Sequence, residues 1–277
     1  MNILETIIAR KIKEVKAAKK QPLLGLEKYE KRTPIAMRKA FAEAKLMGLI
    51  TEFKRQSPSK GIINGTGKVK DITKGYVGAG ATALSVLTDK DFFGGSLEDL
   101  MIAREANPNT PILRKDFIID TFQITEAKRC GADIILLIAE CLTETQVADY
   151  AAYAKDLGLS VLLEIHNEEQ LEKFTKNIDA VGINNRDLKT FKVSVEHSLK
   201  LLPKLPKEAL AISESGISDP ATAVRLIEAG FNALLIGEQF MKTNDPAAAC
   251  DEFVGEVMRF HNMKQSKTTQ LRVPIKW

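Results

Sequence analysis

Two charged side chains of opposite sign stand at the end of the apolar segment LITEFK, residues 49–54. Side chains alternate between the two faces of a strand, so Glu52 and Lys54 lie on the same face as Ile50. A carboxylate and an ammonium on the core-facing side of a strand are costly unless they are paired or take part in chemistry. We therefore expect this pair to lie in a functional site.

Other polar side chains stand at the carboxyl ends of further apolar segments, whereas most amino ends are apolar. Those that share a face with an apolar residue two positions earlier are Lys115 with Leu113, Glu164 with Leu162, Asn185 with Ile183, and Glu214 with Ile212. If these faces point to one interior, two lysines and three carboxylates crowd one mouth, counting Glu52 and Lys54. Such crowding separates pKa values and produces both proton donors and proton acceptors. The pattern predicts acid–base catalysis on a small molecule.

The elements that must position these residues follow a regular order, because short apolar segments alternate with segments of helical periodicity. The predicted strands are 49–54, 82–88, 111–115, 133–139, 159–165, 180–184, 209–214 and 233–237. The helices predicted between them are 71–77, 96–105, 119–129, 144–157, 168–174, 195–202 and 220–229. Strands that alternate with helices form a parallel sheet with right-handed crossovers. Eight such units predict an α/β fold, a (β/α)8 TIM barrel, whose carboxyl-terminal rim carries the active site.

A doubly wound open sheet is the alternative architecture. It usually has fewer strands, and a GxGxxG turn directly after the first strand would favour it. The segment GIINGTG, residues 61–67, does not follow a strand directly and has different spacing. The barrel is therefore the preferred fold.

Segments outside the barrel divide the chain further. Residues 1–47 are expected to form a helical N-terminal extension, with an amphipathic helix over 1–20 whose outer face is rich in lysine and a second helix over about 34–46. The barrel is expected to span 48–260. Residues 261–277 are polar and lack periodicity, which predicts a loosely attached tail.

Small residues follow the last two predicted strands, in ISESGIS and LIGEQFM. In a barrel of this kind, these two loops commonly bind phosphate, because small residues let backbone N–H groups approach an anion closely. A glycine after a strand is also a common turn residue. Its presence in both expected loops favours a phosphate site at Ser215, Gly216 and Gly237.

Composition excludes several classes of protein. The 277 residues carry a net charge of only +4 with acidic residues interspersed, which argues against a nucleic-acid-binding surface. The three cysteines lack metal or disulfide spacing, and His166, His197 and His261 form no ligand cluster, so we expect no metal. A loop or cap role is expected for His166 and a surface position for the other two histidines. No apolar run reaches the ~18–20 residues of a membrane span and no signal peptide opens the chain, which predicts a soluble, cytoplasmic protein without membrane partners.

Several motifs together resemble one enzyme family, indole-3-glycerol-phosphate synthase, from the N-terminal helix to about residue 260. They are EFKRQSPSKG, TDKDFFGGS, ILRKDFIID, LLEIHNEEQL, GINNRDL, ISESGI and LIGEQFM. The resemblance implies a carboxy-lyase of tryptophan biosynthesis that needs no cofactor. It converts 1-(2-carboxyphenylamino)-1-deoxyribulose 5-phosphate to indole-3-glycerol phosphate, carbon dioxide and water.

The resemblance also implies roles for individual residues. Lys115 is the expected general acid for ring closure, and Glu164 a proton-transfer partner in the later steps. Lys54 is expected to hold the substrate carboxylate and is one candidate for protonating the leaving hydroxyl, a role that stays open. The residues expected to orient the substrate and the lysines are Glu52, Asn185 and Glu214. Those expected to bind phosphate and substrate are Ser57, Arg186, Ser215, Gly216, Gly237 and Glu238, the last through its backbone N–H, with Phe93, Phe117 and Leu137 as an apolar wall.

Two features depart from the family pattern. The first βα loop, GIINGTGKVKD, is richer in glycine than in most relatives, and the C-terminal tail has no assigned role. The alternatives to the synthase are a phosphoribosyl-anthranilate isomerase, which usually uses a Cys–Asp pair, and a non-catalytic phosphate-binding barrel. We expect a monofunctional, monomeric protein whose partner is a small phosphorylated substrate.

Overall fold

The structure is a computed structural model of the 277-residue chain, and it describes residues 2–20, 27–44, 47–187 and 191–270. The strands are β1 (Gly48–Phe53), β2 (Gln56–Ser57), β3 (Gly61–Ile62), β4 (Ala83–Leu87), β5 (Ile112–Lys115), β6 (Ile134–Ile138), β7 (Ser160–Ile165), β8 (Ala180–Asn184), β9 (Leu210–Glu214) and β10 (Ala233–Ile236). The α-helices are α1 (Ile3–Ala18), α2 (Met37–Ala42), α3 (Val69–Gly78), α4 (Lys90–Phe93), α5 (Leu97–Ala106), α6 (Thr121–Arg129), α7 (Glu144–Asp156), α8 (Glu196–Leu201), α9 (Pro220–Ala229), α10 (Glu238–Met241) and α11 (Pro246–Gln270). Short 3-10 helices span Glu27–Tyr29, Ala139–Cys141, Glu169–Lys173 and Leu202–Lys204.

The long strands form one closed parallel barrel, in the order β1-β10-β9-β8-β7-β6-β5-β4, and β4 returns to β1. This confirms the predicted (β/α)8 fold. The strands β2 and β3 form an antiparallel hairpin in the first βα loop, with Gln56 opposite Ile62 and Ser57 opposite Gly61. The strand β3 of this hairpin contains the first residues of the glycine-rich segment 61–71, which departs from the family pattern.

Side chains alternate between two apolar layers. Ile50, Leu113, Leu162 and Ile212 belong to the inner cluster that fills the barrel, so the faces predicted for Glu52, Lys115, Glu164 and Glu214 point inward. Ile183 belongs instead to the outer cluster, between the strands and the helices. The prediction that Asn185 shares an inward face with Ile183 is therefore wrong.

The two ends of the barrel are closed differently. At the amino-terminal end, Met37 and Phe41 of α2 pack against the inner cluster. At the opposite end, Ile3, Leu4 and Ile7 of α1 line the cavity in the mouth. The helix α1 begins with a capping box, in which Asn2 and Glu5 satisfy each other's backbone N–H groups. The N-terminal segment thus contributes to the site as well as to the fold.

The last helix, α11, ends at Gln270 and so extends past position 260, where the sequence predicts a change to an aperiodic tail. No glycine or proline lies between His261 and Gln270, and this stretch contains good helix formers such as Met, Lys and Gln. The remaining tail residues, 271–277, lie outside the described residues. The domain boundaries themselves stay predictions.

Candidate active site

A cavity of about 640 Å³ lies at the carboxyl-terminal rim of the barrel, where TIM-barrel enzymes place their active sites. The strand ends, the β2–β3 hairpin and α1 together form its walls. The predicted site residues that line it are Glu52, Lys54, Ser57, Phe93, Lys115, Phe117, Glu164, Arg186, Glu214, Ser215, Gly216, Gly237 and Glu238. The structure thus brings these residues together and leaves Asn185 and Leu137 outside this lining.

Glu52 and Lys54 form the ion pair that their spacing suggests. The Lys54 Nζ atom donates to Glu52 Oε1 at 2.7 Å, and the Ser85 hydroxyl donates to Glu52 Oε2 at 3.4 Å. Burial favours the neutral form of Glu52, but Lys54 and then Lys115 outweigh burial and lower its pKa. An ionised carboxylate therefore holds the Lys54 ammonium at the mouth.

The backbone beside this pair has no room for a side chain. A Cβ atom at Gly237 would lie 2.7 Å from Glu52 Oε1 and 2.8 Å from Glu52 Cβ. Both distances are below ordinary van der Waals contact. Gly237 is therefore required for Glu52 to occupy its observed position.

A second ion pair lies deeper in the barrel. The Lys115 Nζ atom donates to Glu164 Oε2 at 2.8 Å and lies 3.9 Å from Glu214 Oε2. Burial would lower the pKa of Lys115, but Glu164, Glu214 and Glu52 together raise it. Burial likewise opposes ionisation of Glu164, but Lys115, His166 and the hydrogen bond from Asn184 together outweigh burial and lower the pKa of Glu164 to about 2. Lys115 is a charged proton donor in contact with an ionised proton acceptor.

Glu214 differs from the other two carboxylates. Burial, and then repulsion by Glu164, raises its pKa to about 8. Its Oε1 atom is buried and has no hydrogen-bond partner among the described residues. It packs against Gly182, where a Cβ atom would overlap it. Glu214 is therefore the carboxyl group of this cluster that holds a proton most readily, because it lies close to two ionised carboxylates.

Lys115 stands next to a buried network that the sequence did not predict. The Lys11 ammonium on α1 lies 2.8 Å from Asp89 and 3.0 Å from Asp116. Asp116 also accepts hydrogen bonds from Thr88 at 2.6 Å and from Arg114 at 3.0 Å. Burial opposes ionisation of Asp116, but Arg114 and Lys11 outweigh it and lower its pKa to about 2. Lys11 is 4% exposed, so it does not belong to the solvent-facing side predicted for α1.

The predicted phosphate region, at Ser215, Gly216 and Gly237, lines the same cavity. Ser215 and Gly216 both adopt left-handed backbone conformations, with φ of 67° and 74°. The guanidinium of Arg186 lies 3.4 Å from the Glu238 carboxylate, and Lys60 of the hairpin lies 3.7 Å from it. Two cations therefore flank the small-residue loops, one of them on a residue that the sequence did not single out.

The apolar wall is partly as predicted. The rings of Phe93 and Phe117 line the cavity with their centroids 6.1 Å apart. Leu137 belongs to the outer cluster, so its predicted place in the wall is wrong. Its neighbours Leu136 and Ile138 line the cavity instead. All five residues of β6 are apolar and buried, so nothing in that segment indicates which face is the inner one.

Asn185 also lies on the outer side of its strand. Its amide donates to the Ser213 hydroxyl at 3.1 Å and to the Ser215 carbonyl at 3.0 Å, and it accepts from the Ser198 N–H. Asn184 takes the predicted place, because it lines the cavity and donates to Glu164 Oε1 at 3.0 Å. The outer asparagine supports the loop after β9, and the inner one contacts the acid–base cluster.

No group of three or more His, Cys, Asp or Glu side chains with the arrangement of a metal site occurs among the described residues. Within the same residues, no helix has the length and apolarity to cross a membrane.

Comparison with known proteins connects this site to one family. Residues 4–253 match the family model described as indole-3-glycerol phosphate synthase. The indole-3-glycerol phosphate synthase of Bacteroides thetaiotaomicron is 46% identical over 91% of this chain and 98% of its own length. The same-named protein of Laribacter hongkongensis is 44% identical over 90% of this chain and 97% of its own length, and that of a Polaromonas species is 42% identical over 92% and 98%.

Solved structures with the same architecture are more distant in sequence. The 3-hexulose-6-phosphate synthase of Salmonella typhimurium superimposes with a TM-score of 0.62 at 15% identity, covering 78% of this chain and all of that one. The tryptophan synthase alpha subunit of Legionella pneumophila has a TM-score of 0.61 at 12% identity, covering 81% and 97%. At this identity the likeness concerns the fold alone.

Proposed function

The chain belongs to the indole-3-glycerol phosphate synthase family, and from this premise we propose how the residues of its barrel mouth divide the work of the reaction. The activity is the decarboxylating, dehydrating ring closure of 1-(2-carboxyphenylamino)-1-deoxyribulose 5-phosphate to indole-3-glycerol phosphate. The observation that carries the assignment is the contact of Lys115 with Glu164, 2.8 Å apart inside a cavity that also holds the Glu52–Lys54 pair.

Substrate binding uses three parts of the mouth. The phosphate binds at the loops of Ser215, Gly216 and Gly237, where Arg186 and Lys60 supply positive charge. The small side chains of these loops let backbone N–H groups approach an anion closely. The remaining contacts are assigned to Ser57 on the hairpin, to the backbone N–H of Glu238, and to Phe93 and Phe117 against the aromatic ring.

The substrate carboxylate is assigned to Lys54. This lysine is partly exposed, with 16% of its side-chain surface accessible, so an incoming anion can reach it. The Glu52 contact restricts the ammonium to one position before the substrate arrives. Preorganised charge of this kind acts on the transition state without reorganisation during the reaction.

Ring closure is assigned to Lys115. The aromatic carbon that bears the carboxylate attacks the C2 carbonyl carbon of the sugar, and Lys115 gives a proton to the carbonyl oxygen. The new carbon–carbon bond is followed by loss of carbon dioxide, which restores the aromatic ring. Lys115 suits this role because the ionised carboxylates of Glu164 and Glu52 keep it protonated until the oxygen accepts the proton.

Dehydration completes the indole. The hydroxyl on C2, which carries the former carbonyl oxygen, takes up a second proton and leaves as water, while Glu164 removes a proton from C1. Two protons are thus added to oxygen and one is removed from carbon. When the substrate carboxylate is ionised, each turnover consumes one proton from solvent.

Three residues position these groups. Glu52 orients Lys54, and Asn184, in the place predicted for Asn185, orients Glu164 through its 3.0 Å hydrogen bond. Glu214, whose pKa is raised by burial and by Glu164, can hold a proton and donate a hydrogen bond to a substrate hydroxyl.

The test is turnover of the purified protein with the carboxyphenylamino substrate, followed by indole fluorescence. Lys115→Met should lower kcat by about 10²–10⁴-fold, the usual range for one general acid, and should change KM less. Lys70→Met, an exposed lysine on α3, is the matched control and should behave like the wild type. Wild-type-like single-turnover rates in Lys115→Met would remove Lys115 from the role.

Two further measurements separate the alternative functions. Conversion of phosphoribosyl anthranilate would identify the isomerase, and binding of the substrate without turnover would identify a non-catalytic barrel. The monomeric state and the cytoplasmic location stay predictions.

A further inference from the structure

A buried histidine next to the acid–base cluster has no role in the steps above. His166 follows β7 directly, and its Nε2 atom lies 3.5 Å from Glu164 Oε1. Its side chain is 10% exposed, and neither ring nitrogen has a hydrogen-bond partner among the described residues. A buried polar ring of this kind is unusual in a native protein and indicates a function or a bound molecule.

The histidine lines a second cavity, of about 470 Å³, beside the first. Asn184, Arg186 and Leu4 line both cavities, so these residues separate the two. The charged and titratable groups that line the second cavity with His166 are Glu140, Arg186, Asp187, Lys192 and His197. A polar cavity of this size can hold several water molecules, since each takes about 30 Å³ in the liquid.

Glu164 therefore stands between the substrate cavity and the second cavity. Its Oε2 atom accepts from Lys115 at 2.8 Å, and its Oε1 atom faces His166. Glu164 lines the substrate cavity with only 3% of its surface accessible, so when the substrate fills this cavity a proton from solvent reaches Glu164 through neighbouring groups. The chain of contacts runs from Lys115 through Glu164 and His166 to the second cavity.

The reaction requires such a route if one acid serves both oxygen protonations. The carbonyl oxygen that Lys115 protonates in ring closure is the same oxygen that later leaves as water. Lys115 must then regain a proton between the two events. The proton that Glu164 takes from C1 becomes available only once dehydration has taken place. The proton that Lys115 needs before dehydration must therefore come from solvent.

We propose that His166 relays this proton from the second cavity to the Glu164–Lys115 pair. A water molecule of the second cavity protonates Nδ1 of the neutral imidazole, which carries its hydrogen on Nε2, and the resulting imidazolium gives Nε2–H to Glu164 Oε1. Rotation of the Glu164 carboxyl group turns this O–H toward Lys115, and the proton passes to the neutral Lys115 amine. Exchange of the Nδ1 proton through cavity water then restores the tautomer with hydrogen on Nε2. Each transfer breaks one N–H or O–H bond and forms another, and the net uptake is the one solvent proton of the turnover. The proposal rests on the proposed function.

The test is the timing of carbon dioxide release and indole formation in His166→Gln, which keeps a polar side chain of similar length. Carbon dioxide should be released first, while the decarboxylated intermediate, one water heavier than the product, accumulates and is detected by mass spectrometry. The steady-state kcat should fall by about 10- to 100-fold, around the low end of the range for a positioned acid–base group, with KM little changed.

Chemical rescue provides an independent measurement. In His166→Ala, added imidazole should restore indole formation, whereas it should not affect the wild type or His166→Gln. His197→Gln is the matched control, because His197 lines the same cavity but its ring contacts the His166 carbonyl oxygen rather than Glu164. It should keep wild-type timing and should not respond to imidazole.

Two outcomes would overturn the relay while leaving the function intact. If carbon dioxide release and indole formation stay in step in His166→Gln, then another group, such as Lys54, supplies the second proton. If imidazole fails to restore His166→Ala, the histidine has only a structural role. A wild-type enzyme that does not turn over the substrate would instead refute the proposed function.

Discussion

Substitution of Gly237 by alanine should damage catalysis through Glu52, a residue far from it in sequence. The backbone at Gly237 has φ of −130°, outside the left-handed region, so glycine is favoured here by the lack of space for a Cβ atom. The added Cβ atom would lie 2.8 Å from the Glu52 Cβ, whereas ordinary contact begins at about 3.4 Å. Glu52 must therefore move by about 0.6 Å, the difference between these distances, and Lys54 must follow its partner.

The size of the effect follows from this displacement. A misplacement of about 1 Å in a catalytic constellation can cost on the order of 10²-fold in rate, so we expect Gly237→Ala to lower kcat by about 10- to 100-fold. Overpacking of a tight site usually costs about 1–3 kcal/mol of stability, so the protein should still fold. KM should rise less than kcat falls, because the phosphate contacts do not involve Glu52.

The assay combines steady-state kinetics by indole fluorescence with thermal unfolding. Gly255→Ala on α11 is the matched control, since a Cβ atom there would meet nothing within 4 Å. It should keep wild-type kinetics and gain up to about 1 kcal/mol of stability, because alanine is the better helix former. A rise in KM with unchanged kcat in Gly237→Ala would refute the steric argument and would indicate that the substitution acts on phosphate binding rather than on Glu52.

Three further predictions concern the charged groups of the mouth. Glu52→Gln should lower kcat more than it raises KM, and Lys54→Met should lower kcat further. The effects of the two substitutions should not add, and a double mutant whose ΔΔG‡ equals the sum of the singles would show that the two residues act independently. Lys11→Met should lower the free energy of unfolding by about 3 kcal/mol, because it leaves the buried carboxylates of Asp89 and Asp116 without this cation. An unchanged midpoint of urea unfolding would contradict this prediction. The raised pKa of Glu214, about 8 in the folded state against an ordinary 4.5, means that its contribution is fully present below pH 4.5 and is lost as pH rises through 8. The free energy of unfolding of Glu214→Gln, measured in urea, should therefore not show this decrease between pH 4.5 and 8. If the wild type and Glu214→Gln have the same dependence of stability on pH, the pKa of Glu214 is not raised.

The periodic features of the sequence were sufficient to predict the barrel. Apolar segments of strand length alternate with helical ones, and the closed parallel sheet of the structure has the predicted number and order of units. Helix positions were also close, and 220–229 matches α9 (Pro220–Ala229), which Asp219 caps. These signals are local, since strand and helix periods and capping residues act within a few positions of the chain.

Part of the site could be predicted for the same reason. Glu52 and Lys54 interrupt an apolar strand with polar side chains on one face, so the sequence itself indicates which face carries the chemistry. Lys115, Glu164 and Glu214 also stand at strand ends on the inward face. Their position at the carboxyl ends of parallel strands implies that they converge, because those ends share one rim.

For other residues, the face of the strand on which they lie could be assigned only from the tertiary structure. Leu137 and Asn185 were each assigned one position away from the residue that faces the cavity, and a shift of one residue moves a side chain to the opposite face. Both strands are buried on their two sides, so their sequences contain no alternation of polar and apolar residues that could identify the inner face.

Contacts between distant parts of the chain could not be predicted from local sequence patterns. The burial of Lys11 against Asp116, the fit of Glu52 against Gly237, and the position of His166 beside a second cavity are produced by closure of the barrel and by the packing of α1 across its mouth. The elements, and the rim that carries the polar residues, follow from short-range periodicity and can therefore be predicted from the chain. Contacts between side chains depend on strand register and packing, which no single segment contains, and they become visible only in the folded barrel.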